Sequence, residues 1–167
     1  IRRYFVINML TALAILERGV MNYECFDVAI ENHIAHLQFK RPQQHNSMNK
    51  AFWREFPEAL QAIDQAAEAR VLVISSVGRH FCSGMDLAVF QKPDPKMFGG
   101  EPGRRCEFMR RLVLQLQDCF TQMEKIRIPV LTAIQGGCIG GAVDMVCASD
   151  SRYCTKDAYF TVKETAL

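Results

Sequence analysis

The sequence lacks the regular cysteine spacing of disulfide-stapled domains and of structural zinc sites. Its seven cysteines are odd in number, and they are scattered without a C-x-x-C pair. Secreted disulfide scaffolds and zinc sites depend on paired, closely spaced cysteines. We therefore expect a protein of a reducing compartment, with no metal site.

An excess of charge of one sign is also missing. The formal net charge is +2, and 23% of the residues are charged. Proteins that bind nucleic acid through electrostatics usually carry a pronounced basic excess. The composition therefore gives no reason to expect nucleic acid or an acidic surface as a partner.

Long hydrophobic runs are absent as well. No segment approaches the ~20 apolar residues that a membrane span needs. Residues 6–16 are largely apolar and follow Arg2 and Arg3, like a signal peptide, but no A-x-A cleavage pattern comes after them. We interpret residues 1–20 as an N-terminal extension that is untranslated or disordered. Residues 21–167 are expected to form one domain that is truncated at its C-terminus.

Hydrophobic periodicity predicts an α/β protein with the order β-β-α-β-α-β-α-β-β. Pro57 lies inside the first predicted helix and should kink or split it. Short apolar runs between helices are typical of buried parallel strands. The predicted elements are a strand pair over residues 26–39 with its turn at 31–33, helices over about 49–70 and 104–126, strands at 71–75 and 129–134, a short helix that ends at 144–148, and strands at 152–154 and 159–162.

The most informative stretch is QGGCIGGAVDMV, residues 135–146. It follows a β-branched run and precedes a short helix, so its glycines bring bare backbone N–H groups beside the carboxylate of Asp144. Such a site can hold a developing negative charge on oxygen while a nearby acid moves protons. HFCSGMDL, residues 80–87, is a second strand-end loop of small residues. An oxyanion hole requires one donor from each side, and these two loops could supply them.

Each of these features also has a purely structural interpretation. A glycine-rich turn often reflects tight packing, and Asp144 and Glu164 could be solvated or helix-capping carboxylates. GGCIGG is neither a P-loop nor a G-x-G-x-x-G motif, so nucleotide binding by that route is unsupported. Cys82 and Cys138 are better explained as core thiols than as nucleophiles, and His80 as a loop residue rather than a base.

Taken together, four motifs resemble the enoyl-CoA hydratase/isomerase (crotonase) superfamily. They are KRPQQHNSMN at 40–49, HFCSGMDL at 80–87, IPVLTAIQGGCIGGAVDMV at 128–146 and DSRYCTKDAYFTVKE at 150–164. The resemblance runs from about residue 22 to residue 167. It implies a crotonase-like spiral of β-β-α turns, incomplete at the C-terminus. It also implies a coenzyme A thioester as substrate, with no separate cofactor.

The resemblance further implies roles for four residues. It places the two oxyanion N–H groups on Met85 and Gly141, and the two acidic positions on Asp144 and Glu164. Since the first acid is Asp, the chain looks most like the branch that isomerises 3,5-dienoyl-CoA to 2,4-dienoyl-CoA. In that branch Glu164 would exchange a proton at the carbon beside the thioester carbonyl. A further Asp of the branch would fall beyond Leu167.

Two other functions stay open at this point, a 2-enoyl-CoA hydratase and a non-catalytic acyl-CoA-binding fragment. The family resemblance implies a homotrimer or hexamer for a full-length member. It implies the cytoplasm in a bacterium, and a mitochondrion or peroxisome in a eukaryote. For the 167-residue chain itself we expect poor activity, exposed apolar surface and a tendency to associate.

Overall fold

The computed structural model describes residues 23–91 and 95–163, and it has the predicted α/β class. The predicted extension over residues 1–20 lies outside the described residues, as does Glu164. The strands are β1 (Phe26–Glu31), β2 (Ile34–Phe39), β3 (Val71–Ser76), β4 (Val130–Ile134), β5 (Gly137–Ile139), β6 (Ser151–Cys154) and β7 (Tyr159–Thr161). The helices are α1 (Lys50–Ala66), α2 (Ala88–Gln91), α3 (Pro102–Lys125) and α4 (Gly141–Cys147). A five-stranded sheet has the order β1-β2-β3-β4-β6, and a second sheet pairs β5 with β7.

The strand order brings two distant parts of the chain to one edge of the large sheet. β1 and β2 form the predicted hairpin, with Asn32 and His33 in left-handed conformations at the turn. β3 is parallel to both β2 and β4, as predicted for the buried apolar runs, and β6 is parallel to β4. Because β3 and β4 are adjacent and parallel, the segments that follow them leave the sheet side by side.

The core between the sheet and α1 is largely aromatic. Phe26 and Phe39 project from the hairpin, and Phe52 and Phe56 from α1, with the Phe26 and Phe56 rings 6.3 Å apart. Asn49 caps α1 by accepting a hydrogen bond from the Phe52 N–H at 2.9 Å. The helix runs without interruption through Pro57, so the predicted split does not occur.

Three further differences from the sequence prediction concern short or terminal elements. β5 and α2 were not predicted, since three and four residues are too few for a clear periodic pattern. α3 begins at Pro102 rather than 104, because the Glu101 carboxylate caps the N–H groups of Gly103 and Arg104. α1 ends at Ala66, where Ala67 adopts a left-handed φ of 53°.

Large apolar side chains are exposed at several places in the described part of the chain, including Ile34, Leu87 and Phe98. Tyr153, Tyr159, Phe160 and Val162 are exposed on and beside β6 and β7. On α3, Cys119 and Met123 are the buried residues, and Val113 and Leu114 are exposed. The exposure of apolar surface agrees with the expectation from the sequence.

Three observations concern the cysteines, the helices and the potential metal ligands of the described residues. All seven cysteines are free thiols. Within residues 23–91 and 95–163, no helix has the length and apolar character needed to cross a membrane. In the same ranges, no group of three or more His, Cys, Asp or Glu side chains is arranged to hold a metal ion.

Candidate active site

The candidate site is built from two backbone segments that run side by side, residues 79–86 after β3 and residues 135–141 after β4. They form one short parallel ladder. The Cys82 N–H donates to the Gly137 carbonyl at 3.2 Å, and the Ile139 N–H donates to the Cys82 carbonyl at 3.1 Å. β7 lies on the other side of β5 and completes the small sheet. The two strand-end loops that the sequence predicted to meet are therefore in direct contact.

Glycine is required where these segments approach most closely. A Cβ atom on Gly84 would lie 2.5 Å from the Ile139 carbonyl oxygen and 3.4 Å from the Gly141 nitrogen. A Cβ on Gly136 would lie 2.2 Å from the Arg79 carbonyl oxygen. Both glycines also have positive φ, +82° and +57°, which L side chains adopt with strain. The spacing of the segments is thus set by main-chain atoms.

The ladder of hydrogen bonds ends at Gly84, and beyond its end the N–H groups of Met85 and Gly141 are not used by the ladder. A further parallel rung would join the Gly141 N–H to the Gly84 carbonyl. That carbonyl instead accepts from the Met48 N–H at 2.8 Å, while the Asp86 N–H donates to the Met48 carbonyl at 3.0 Å. These bonds use the neighbours of Met85 and not Met85 itself. Among the described residues, the N–H groups of Met85 and Gly141 have no hydrogen-bond partner.

The surroundings of these two N–H groups are apolar on one side and open on the other. The Met48 side chain is fully buried, and its Sδ lies 3.6 Å from the position of a Cβ on Gly141. Asp144 lies in the first turn of α4 and is exposed. The Gly140 N–H donates to the Thr161 carbonyl at 2.8 Å, which ties β7 to the start of α4. Glu164 follows Thr161 by three positions along the chain.

Asn46 holds the first segment in place, and sequence reasoning missed it. Its side chain Oδ1 accepts from the Arg41 N–H at 3.0 Å, and its Nδ2 donates to the Val77 and His80 carbonyls at 2.9 and 3.1 Å. The residue is 5% exposed, and a buried amide must have its hydrogen bonds satisfied. The sequence feature that could have identified it is the position of this asparagine, within the motif KRPQQHNSMN and shortly after a predicted strand.

Asp86 anchors the other end of the same segment. Its carboxylate accepts from the Ala88 N–H and from the Ser47 hydroxyl, each at 2.9 Å. These hydrogen bonds, with the Ala88 N–H as the largest cause, hold the pKa of the Asp86 carboxyl below its usual value. The Arg41 guanidinium lies 4.0 Å away and acts in the same direction.

The two central cysteines are structural thiols. Cys82 and Cys138 are fully buried and face each other across the ladder. Burial raises the pKa of both thiols to about 12. A thiol must ionise to act as a nucleophile, so the preference for core packing over nucleophilic catalysis is supported. His80 is engaged as well, since its Nδ1 accepts a hydrogen bond from the Gly137 N–H at 3.0 Å.

The chain is similar in sequence to known proteins over most of its length. A model of the enoyl-CoA hydratase/isomerase family matches residues 29–167. The mitochondrial Delta(3,5)-Delta(2,4)-dienoyl-CoA isomerase of Mus musculus is 43% identical over 147 residues, which are 87% of this chain and 45% of that protein. The peroxisomal Delta(3,5)-Delta(2,4)-dienoyl-CoA isomerase of Arabidopsis thaliana is 40% identical, over 82% of this chain and 50% of that protein. The chain thus spans about half the length of these relatives.

The fold is shared with solved structures. A crystal structure of an enoyl-CoA hydratase from Shewanella pealeana ATCC 700345 superimposes with a TM-score of 0.73 at 20% sequence identity. The match covers 86% of this chain and 51% of that one. The predicted crotonase-like fold is therefore confirmed. The roles assigned to Met85, Gly141, Asp144 and Glu164 stay predictions.

The close approach at Gly84 can be tested with a matched glycine. Gly84→Ala and Gly100→Ala both place a side chain at positive φ, +82° and +86°, but a Cβ on Gly100 meets nothing within 4 Å. We expect Gly84→Ala to lower the free energy of unfolding by about 1–3 kcal/mol more than Gly100→Ala, because of overpacking. Urea denaturation measures both, and equal effects would contradict the proposed contact.

The Asp86 hydrogen bonds predict a pH-dependent contribution to stability. The ordinary pKa of an Asp carboxyl is 3.8, and folding lowers that of Asp86. Its ionised form therefore stabilises the folded state when the pH is above 3.8, and this stabilisation is lost as the pH falls through the lowered pKa. Asp86→Asn should therefore lower the free energy of unfolding at pH 7 by about 1 kcal/mol. At pH 3 the difference in the free energy of unfolding between Asp86→Asn and the wild type should be smaller. Urea denaturation at both pH values, with exposed Asp157→Asn as control, checks this; a difference independent of pH would contradict it.

Proposed function

Because the chain belongs to the enoyl-CoA hydratase/isomerase family, we propose that the full-length protein converts 3,5-dienoyl-CoA to 2,4-dienoyl-CoA. The observation that carries the proposal is the pair of N–H groups on Met85 and Gly141, which have no partner among the described residues. They come from two segments whose spacing is set by glycine contacts. The names of the two relatives, each at 40% identity or more, support this substrate class.

The proposed reaction moves one proton between two carbons of the same acyl chain. The Glu164 carboxylate removes a proton from the carbon beside the thioester carbonyl, and the C–H electron pair passes into an enolate. The negative charge on the thioester oxygen is stabilised by hydrogen bonds from the Met85 and Gly141 N–H groups. An acid of the full-length protein other than Glu164 and Asp144 donates a proton to the far carbon of the diene, which gives the conjugated 2,4-dienoyl product, and the proton now held by Glu164 balances the one that was donated. Asp144, in the first turn of α4, is proposed as the second acid of the site.

This chemistry requires proton transfer and charge stabilisation, and both can come from the protein. No cofactor is needed in the proposed mechanism, since coenzyme A arrives as part of the substrate. The expected partners are the acyl-CoA substrate and further copies of the full-length protein, in a trimer or hexamer. A mitochondrial or peroxisomal location in a eukaryote, and a cytoplasmic one in a bacterium, completes the proposal.

The substrate assignment is tested with full-length protein. We expect 3,5-dienoyl-CoA to give a rise in the absorbance of the conjugated dienoyl thioester, and Glu164→Gln to lower that turnover strongly. Loss of enone absorbance with crotonyl-CoA, without isomerisation, would favour the hydratase instead. If the protein binds acyl-CoA but catalyses neither reaction, the non-catalytic acyl-CoA-binding function would be favoured. Unchanged turnover in Glu164→Gln would remove the assignment of the base.

The role of the Met85 N–H is tested by two substitutions at one position. Met85→Ala keeps the N–H, so it should be tolerated, whereas Met85→Pro removes it. Loss of one oxyanion donor typically lowers kcat by about 10²–10³-fold. Steady-state kinetics measures both variants, and thermal unfolding shows whether the proline variant is folded. A folded Met85→Pro protein with normal kcat would exclude this N–H as a donor.

A further inference from the structure

The N–H of the buried Gly137 lies one rung before the Cys82 hydrogen bonds. In an unbroken parallel ladder, this N–H would donate to the backbone carbonyl of His80. That carbonyl is already used, because it accepts from Asn46 Nδ2 at 3.1 Å and from the Ser76 hydroxyl at 3.4 Å. The Gly137 N–H donates instead to Nδ1 of the same histidine, at 3.0 Å. The ring thus replaces the missing backbone acceptor.

The ring of His80 is held in position for this bond. The rings of His45 and Tyr159 pack edge-on against it, with centroid distances of 5.6 and 6.2 Å. A Cβ on Gly137 would lie 3.2 Å from Nδ1 and 2.8 Å from the Tyr159 hydroxyl, so a side chain there would crowd the ring. Since Nδ1 accepts, a neutral His80 ring carries its hydrogen on Nε2.

We propose that His80 is a positioning residue for the oxyanion hole. Its Nδ1 gives the Gly137 N–H an acceptor and so helps to hold the 79–86 segment against β5 at the spacing that the glycine contacts permit, which keeps Met85 in place relative to Gly141. The proposal rests on the proposed function, since it assigns Met85 and Gly141 as donors. The proposed role of His80 includes no proton transfer. It acts on the reaction only through the main chain.

Two substitutions separate the acceptor from the rest of the side chain. His80→Asn can place Oδ1 close to the position of Nδ1 and keep an acceptor for Gly137. His80→Leu fills similar space but leaves a buried N–H unsatisfied. In full-length protein we expect His80→Leu to lower kcat about tenfold or more with little change in KM, and His80→Asn to stay within about threefold of the wild type. His33→Leu, in the exposed β1–β2 turn, is the control and should leave both constants unchanged.

A second measurement does not depend on activity. Amide hydrogen exchange at Gly137 should be slow in the wild type and in His80→Asn, and faster in His80→Leu. If full-length protein isomerises no dienoyl thioester, the proposed function fails, and the exchange rates still decide whether His80 holds the segments together. Equal exchange in all three proteins would overturn the proposal. So would an equal loss of kcat in His80→Asn and His80→Leu.

Discussion

Main-chain atoms of two distant segments touch directly in this protein, and the candidate site depends on that contact. Gly84 against the Ile139 carbonyl, and Gly136 against the Arg79 carbonyl, leave no room for side chains. The contact permits the short ladder through Cys82, and the end of that ladder leaves the N–H groups of Met85 and Gly141 without partners among the described residues. The proposed chemistry therefore follows from how closely two backbones approach.

Hydrogen-bonded polar side chains, of which Asn46 is buried and Asp86 half-buried, keep the first of these segments in register. Asn46 joins the loop before α1 to the end of β3 and to His80, and Asp86 fixes the segment to Ser47 and to the start of α2. Each of these two side chains makes several hydrogen bonds, so replacing either one would leave several of its partner groups without a hydrogen bond. These hydrogen bonds fix the segment to α2 and to the loop before α1.

The sequence was informative where pattern and local chemistry agree, and uninformative where the structure depends on distant partners. The hairpin, the parallel strands and the meeting of two glycine-containing loops follow from alternation, apolar runs and glycine content. β5 could not be predicted, because Gly137, Cys138 and Ile139 form a strand only through partners at Cys82 and in β7. The use of the His80 ring depends on Asn46 having taken the backbone carbonyl. A local sequence pattern cannot predict that a side-chain acceptor will replace a backbone carbonyl in this way.

The two halves of the candidate site are far apart along the chain, and this links the site to folding. His80 and Gly137 are separated by 57 positions, so their contact closes a long loop and carries the conformational entropy cost of that closure. A folding intermediate that contains only the β1–β2 hairpin and α1 would have neither donor in place. A molecule that binds across both N–H groups can recognise only the completed fold. By mass action it would then stabilise that fold against unfolding, more strongly as its concentration rises above its Kd.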